Sequence, residues 1–95
     1  MTITSSLNVV TITGNIKTIR DYQNIKSTVD AVASSQKNIV INIKESISVT
    51  SSIIGYFNKL VLKDKILLQL NIGNQELVDL LNDLNLTSVF KVKKV

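Results

Sequence analysis

The sequence contains no cysteine, no histidine and no proline, and it has only three glycines and four aromatic residues. Without cysteine or histidine there is no disulfide, no thiolate nucleophile, no Ser-His triad and almost no ligand set for zinc or haem. We therefore expect no enzyme activity, no metal and no cofactor. The scarcity of proline and glycine argues against a disordered linker. With so few aromatic residues, the core must consist mainly of Ile, Val and Leu.

Long apolar runs and signs of export are also missing. No apolar run approaches the roughly 20 residues that span a bilayer, and residues 1–8 lack the basic start and apolar core of a signal peptide. We therefore expect a cytoplasmic protein without membrane insertion. The net charge is +4, from ten lysines and one arginine against seven acids. The lysines are scattered and are not interleaved with aromatic residues, so we expect a solvated surface and no nucleic-acid partner.

The apolar pattern alternates between short β-branched runs and helical periodicity over one domain, residues 1–95. The predicted strands are residues 7–13, 38–43, 66–70 and 88–92, with an optional edge strand at 1–4. Three helices lie between them; they begin after Thr18, at Thr50 or Ser51, and after Asn74. Such alternation implies crossover connections. The predicted fold is a single α/β domain with a mixed, mainly parallel sheet of four or five strands and three main helices. The runs 38–43 and 66–70 are nearly continuous and apolar, which predicts inner strands.

Residues 50–57, Thr-Ser-Ser-Ile-Ile-Gly-Tyr-Phe, combine reactive groups with a helix start. The first N–H groups of a helix have no partner within it, so a hydroxyl or a phosphate is well accommodated there. One interpretation is that Ser51, Ser52 or Thr50 only caps the helix; the other is that the hydroxyls carry a function. Gly55 is either a glycine that the helix merely tolerates or a place where a partner or the sheet approaches closely. Tyr56 is expected to lie off the apolar stripe and to be exposed. The predicted partner-binding residues are Thr50, Ser51, Ser52, Gly55 and Tyr56.

Three segments together resemble the STAS domain, the family of bacterial anti-sigma factor antagonists and of the cytoplasmic tails of sulfate transporters. They are Val-Thr-Ile-Thr-Gly-Asn-Ile at 10–16, Thr-Ser-Ser-Ile-Ile-Gly at 50–55, and Leu-Leu-Asn-Asp-Leu-Asn-Leu-Thr-Ser-Val-Phe at 80–90. The resemblance covers nearly the whole chain. Two positions depart from the family pattern: Thr50 stands where the family usually has Asp, and Ile53 where it usually has Gly.

The resemblance implies a non-enzymatic module that binds a protein partner at the start of the second helix. Ser51 aligns with the serine that an anti-sigma serine kinase phosphorylates in the family, and this makes Ser51 the phosphorylation candidate in a partner-switching mechanism. The alternative is a non-switching structural subunit of a larger transport or sensory complex, in which Ser51 is only a cap. Glu76, Asp79 and Asp83 share one helix, and we interpret them as its polar side rather than as a metal or acid–base site. The sequence leaves the oligomeric state open.

Overall fold

A computed structural model describes residues 1–95. Its strands and helices alternate after an initial β-hairpin. In chain order they are β1 (Thr2–Ser6), β2 (Val9–Thr13), α1 (Ile19–Ala33), β3 (Asn38–Lys44), α2 (Ser51–Leu62), β4 (Leu67–Ile72), α3 (Gln75–Asp83) and β5 (Val92–Lys94).

The five strands form one sheet in the order β1-β2-β3-β4-β5. β1 pairs with β2 in antiparallel fashion, and every other neighbouring pair is parallel. The predicted fold class is confirmed: an α/β domain with a mixed, mainly parallel sheet and three helices. β3 and β4 are inner strands, as their apolar composition predicts.

Only one face of this sheet is covered. Along β2, β3 and β4, buried and partly exposed residues alternate. The buried positions join residues of all three helices in a single core cluster, which gives two layers with the helices on one face. On the other face Asn71 donates a hydrogen bond to Asn42 at 2.9 Å, and Gln69 donates to Asn71 at the same distance. The apolar strands are therefore inner in the strand order but half open to solvent.

Local signals in the sequence explain where the helices begin. Thr18 caps α1 in a complete capping box, in which its hydroxyl accepts from the Asp21 N–H and the Asp21 carboxylate accepts from the Thr18 N–H. Asn74 caps α3 through the Glu76 N–H at 2.8 Å. Asn85, with a φ of 59°, ends α3 in the left-handed region, where asparagine is better tolerated than most residues.

The predicted last strand at residues 88–92 is wrong in its bounds. The chain forms a tight turn there, in which the Phe90 N–H donates to the Leu86 carbonyl at 3.0 Å. Phe90 is fully buried and packs edge-to-face on Phe57, with ring centroids 5.9 Å apart. Lys91 has a φ of 49°, so extended pairing begins only at Val92. The apolar pattern correctly indicated that this segment contacts the core, but it predicted a strand where the chain forms a turn.

Candidate functional site

The start of α2 lies at the carboxyl edge of the parallel strands. β2 and β3 are adjacent and parallel, so α1 and α2, which follow them, begin side by side at this edge. In open α/β sheets the carboxyl edge is the usual place for a binding site. Topology alone therefore brings the segment 50–57 next to the start of α1.

Thr50 and Ser51 occupy different positions at the start of α2 and have different roles. Thr50 is the N-cap, and its hydroxyl accepts a hydrogen bond from the Ile53 N–H at 3.3 Å. α2 begins at Ser51, and both Ser51 and Ser52 are exposed. This confirms the prediction of an exposed Ser51 with Ser52 beside it at the N-terminus of the second helix. The capping role belongs to Thr50, which leaves the two serine hydroxyls free of hydrogen bonds within the chain.

The buried side of α2 differs from the apolar stripe that helical spacing predicts, which is Ile53, Ile54, Phe57 and Val61. Ile53, Phe57 and Leu60 are at most 1% exposed, whereas Ile54 is only partly buried. The expectation that Tyr56 is exposed is wrong, because its side chain is only 4% exposed. A single-stripe interpretation assumes burial against the sheet alone, but α2 also packs against α1. Tyr56 faces α1 and is buried there.

Tyr56 is the centre of a small polar and aromatic cluster between α1 and α2, which we call the Tyr56 cluster (Tyr22, Lys26, Asp30 and Tyr56). The Tyr56 hydroxyl donates to Asp30 Oδ1 at 2.5 Å, and Lys26 Nζ lies 2.7 Å from Asp30 Oδ2. The same ammonium is 5.6 Å from the centroid of the Tyr56 ring, and Tyr22 packs edge-on at 6.4 Å. These contacts fix α2 laterally against α1 and so fix the position of its first turn.

The cluster changes the ionisation of its members. Burial, followed by the hydrogen bond to Asp30, raises the pKa of the Tyr56 phenol far above its ordinary value. For Asp30, partial burial alone would raise the pKa, but hydrogen bonds from Lys26 and Tyr56 and the nearby ammonium charges outweigh it. The net effect is to lower the pKa of Asp30. At neutral pH the cluster therefore holds a neutral phenol donating to a carboxylate.

Gly55 lies one helical turn after Ser51, on the exposed side of α2. A Cβ placed on Gly55 would meet no atom within 4 Å. Close approach of the sheet is therefore not the reason for a glycine here. The structure thus excludes the sheet as the approaching element, and two interpretations remain: a glycine that the helix merely tolerates, and a close contact with a partner.

Two loops that sequence reasoning did not single out hold the site together. Ser46 is fully buried, and its hydroxyl donates to the Gly14 carbonyl. Nearby, the Ile47 N–H donates to Asn15 Oδ1 at 3.2 Å, and the Gly14 N–H donates to the Lys44 carbonyl at 2.9 Å. The loop before α1 is thereby tied to the loop before α2. A serine in a mixed loop sequence gives no signal of such burial, because serine is common in exposed loops.

The surface around the first turn of α2 is partly apolar and carries a positive charge. Ile19 is 77% exposed and Ile47 is 52% exposed, at the starts of the same two crossovers. Between the two helix starts lies a shallow depression of about 270 Å³. It is lined by Lys17, Thr18, Ile19, Tyr22, Thr50 and Ser52. An exposed apolar patch rimmed by polar residues is one form that a protein contact surface takes.

The acidic side chains outside this region do not come together in one cluster. No group of three or more His, Cys, Asp or Glu side chains is placed to hold a metal ion. On α3, the Asp79 carboxylate accepts a hydrogen bond from the Gln75 side chain at 2.8 Å. None of the helices has the length and apolar character needed to cross a membrane.

Comparison of the chain with protein-family models, with curated proteins and with solved structures finds no match.

Proposed function

We propose that this chain is a non-enzymatic protein-interaction module of the STAS type, and that a cytoplasmic protein partner packs on the first turns of α2. The observation that carries the proposal is the exposure of Ser51 and Ser52 at a helix start where Thr50 already supplies the cap. Neither hydroxyl is therefore needed to cap the helix. Gly55 extends the contact surface by one turn, and Ile47, in the loop before α2, adds exposed apolar area.

Phosphorylation of Ser51 would act on such a surface without unfolding it. A phosphate adds about −1.5 to −2 charges, and the first turn of α2 contains no acidic residue that would repel it. The unpaired N–H groups of that turn favour an anion. A partner packed over the same turn would have to desolvate the added charge, and a partner surface that fits the neutral serine would supply no counter-charge. The modification would therefore weaken binding far more than it changes folding, and an anti-sigma serine kinase is the kind of partner that the STAS resemblance implies.

Tyr56 supports this surface from below rather than contacting the partner. Its buried ring and its hydroxyl hold α2 against α1, as described above. In the proposal, Tyr56 is a positioning residue, and the contact residues are Thr50, Ser51, Ser52 and Gly55.

The second candidate, a non-switching subunit of a larger assembly, is favoured by the chemistry at Thr50. This position lacks the negative charge that Asp gives to the family motif, and its hydroxyl is used within the chain as a cap. Under this alternative the same face of α2 is a permanent contact and Ser51 is never modified.

A binding titration with defined variants separates the two candidates. Pull-down identifies a partner, and its affinity is then measured for wild type, Ser51→Ala, Ser51→Asp and a sample carrying phosphoserine at Ser51. We expect Ser51→Ala to bind like wild type and the phosphorylated sample to bind at least about 10-fold more weakly. Ser27→Asp, on the exposed side of α1, is the matched charge control and should leave binding unchanged.

Folding stability supplies the second readout. A negative charge in the first turn should raise the stability of Ser51→Asp by about 0.3–1 kcal/mol, because it interacts favourably with the helix dipole. Equal affinity for all forms would reject the switch and leave the structural subunit. A loss of about 1 kcal/mol or more in Ser51→Ala would show that Ser51 acts as a cap after all.

A further inference from the structure

The outer edge of β1 has no neighbouring strand, and the hydrogen-bond pattern shows which of its backbone N–H and C=O groups are unpaired. In the parallel pair β2–β3, the Val40 N–H donates to the Asn8 carbonyl and the Gly14 N–H donates to the Lys44 carbonyl, both at 2.9 Å. Even-numbered residues of β2 therefore bond to β3, and odd-numbered residues bond to β1. In the β1–β2 register, Thr2, Thr4 and Ser6 lie opposite those odd residues. The N–H and C=O groups of Ile3 and Ser5 consequently point outward.

The two edges of the sheet differ in the protection that strand edges usually carry. The β5 edge is only three residues long and includes Lys93 and Lys94, and lysines on a short edge strand oppose pairing with another chain. β1 is five residues long, Thr-Ile-Thr-Ser-Ser, and has no charge and no proline. Four of its five residues are exposed, and its contacts are with β2 and α1. This edge is open to a further strand.

We propose that the outer edge of β1 binds the same edge of a second copy of this chain, forming a symmetric antiparallel pair and a continuous ten-stranded sheet. A two-fold axis at Thr4 places Ile3 of one copy opposite Ser5 of the other. Each such pair exchanges two backbone hydrogen bonds, so the interface contains four. In this register all outward groups of both residues are satisfied.

The side chains are compatible with this register. Thr4 would lie directly opposite Thr4 of the second copy, and Thr–Thr pairs across antiparallel strands are favourable. No ionic group would face its own copy, whereas the same symmetric pairing at β5 would bring Lys93 residues together. On α1, the side away from the Tyr56 cluster carries the uncharged residues Asn24 and Thr28 along its middle turns.

The size and the charge of the chain set the strength of the dimer. A five-residue edge gives a small interface, and small interfaces form weak complexes. The net charge of +4 on each copy opposes association at low ionic strength. Salt screens this repulsion, so dimerisation should strengthen between about 20 mM and 500 mM salt. A dimer held together by ion pairs would instead become weaker as the salt concentration rises.

Sedimentation velocity over protein concentrations from about 10 µM to 1 mM tests the assembly. We expect a concentration-dependent monomer–dimer equilibrium in the wild type. Ser5→Pro deletes one outward N–H per copy and leaves the β1–β2 hydrogen bonds in place, so it should weaken the dimer roughly 10-fold or more. Thr4→Lys should weaken it through like charges at the axis, and Ser27→Lys, with the same charge on exposed α1, should leave it close to wild type. Circular dichroism checks that each variant is folded.

Mixing two variants tests the register. Thr4→Lys and Thr4→Glu should each be monomeric alone and should form a heterodimer when mixed, because the two side chains meet at the axis. Hydrogen exchange should show protection of the Ile3 and Ser5 amides that increases with concentration, and no such increase at Thr4, whose amide is already bonded to β2. A wild type that stays monomeric at 1 mM in 500 mM salt overturns the proposal. So does a dimer that is insensitive to both Ser5→Pro and Thr4→Lys.

Discussion

Replacing Tyr56 by phenylalanine removes the hydroxyl through which the buried side of α2 contacts Asp30 and the Lys26 carbonyl of α1. The ring stays in place, so the change isolates the hydroxyl, which donates to Asp30 Oδ1 at 2.5 Å. A hydrogen bond to a charged group contributes about 1.5–3 kcal/mol. The Asp30 side chain is 42% exposed, so water partly replaces the lost donor. We therefore expect Tyr56→Phe to lower the free energy of unfolding by about 1–2 kcal/mol, which lowers the Tm by roughly 5–15 °C for a domain of this size.

The pH dependence of this loss follows from the direction of the pKa shifts. The pKa of Asp30 lies below its ordinary 3.8 in the folded chain, so its stabilising contribution is present above about pH 4 and is lost as the pH falls through the folded-state pKa. The difference between wild type and Tyr56→Phe should therefore shrink below pH 4. The pKa of Tyr56 is raised above its ordinary 10.0. The stability that the phenol supplies should accordingly be present below pH 10 and should decline above it in the wild type only.

Urea denaturation at pH 7, pH 3 and pH 10.5 measures these differences. Tyr22→Phe is the matched control, because Tyr22 packs edge-on against the same ring; we expect it to change the stability by less than about 0.5 kcal/mol. A Tyr56→Phe loss that equals the Tyr22→Phe loss, or one that is unchanged at pH 3, would refute the assignment of the effect to Asp30. Partner affinity should stay near that of wild type, because the phenylalanine ring still packs α2 against α1 and does not reach the surface.

Two further substitutions test the glycine and the loop contact at the same site. Gly55→Ala should raise the stability by about 0.5–1 kcal/mol in thermal denaturation, because alanine is the better helix former and its Cβ meets no atom; weaker partner binding by this more stable variant would show that the bare backbone is a contact, and unchanged binding would show a glycine that the helix merely tolerates. Ser46→Ala should destabilise the fold by about 1–2 kcal/mol, because it leaves the Gly14 carbonyl without its donor. Exposed Ser48→Ala is the control, and equal losses for the two serines would contradict the role assigned to Ser46.

Patterns that depend on neighbours in the sequence predicted the fold well. The caps at Thr18 and Asn74 and the helix start at Thr50 or Ser51 follow from local hydrogen bonding, and the structure contains all three. Alternation of strands and helices predicted the mainly parallel sheet. The open face of the sheet was not predicted, because an apolar run cannot report whether a second layer of helices exists.

Contacts between distant segments account for what was missed at the site. Tyr56 lies 26 residues from Asp30, and Ser46 lies 32 residues from Gly14. Hydrophobic periodicity treats α2 as a helix with one buried side, and it has no means of showing that α1 covers a second side. Tyrosine is also ambivalent, since its ring favours burial and its hydroxyl requires a partner. That partner becomes visible only when α1 and α2 are placed side by side.

The two positions at which the chain departs from the STAS pattern have a common structural effect. Thr50 caps the first turn of α2 through the Ile53 N–H, and the Ile53 side chain is fully buried. The cap and the third helical position thus anchor the turn, while Ser51 and Ser52, the first and second positions, remain exposed. A charge added at Ser51 therefore acts on the surface and not on the contacts that hold the helix start. In this arrangement Thr50 and Ile53 hold the turn, and the proposed switch would require a kinase to recognise residues outside this pair.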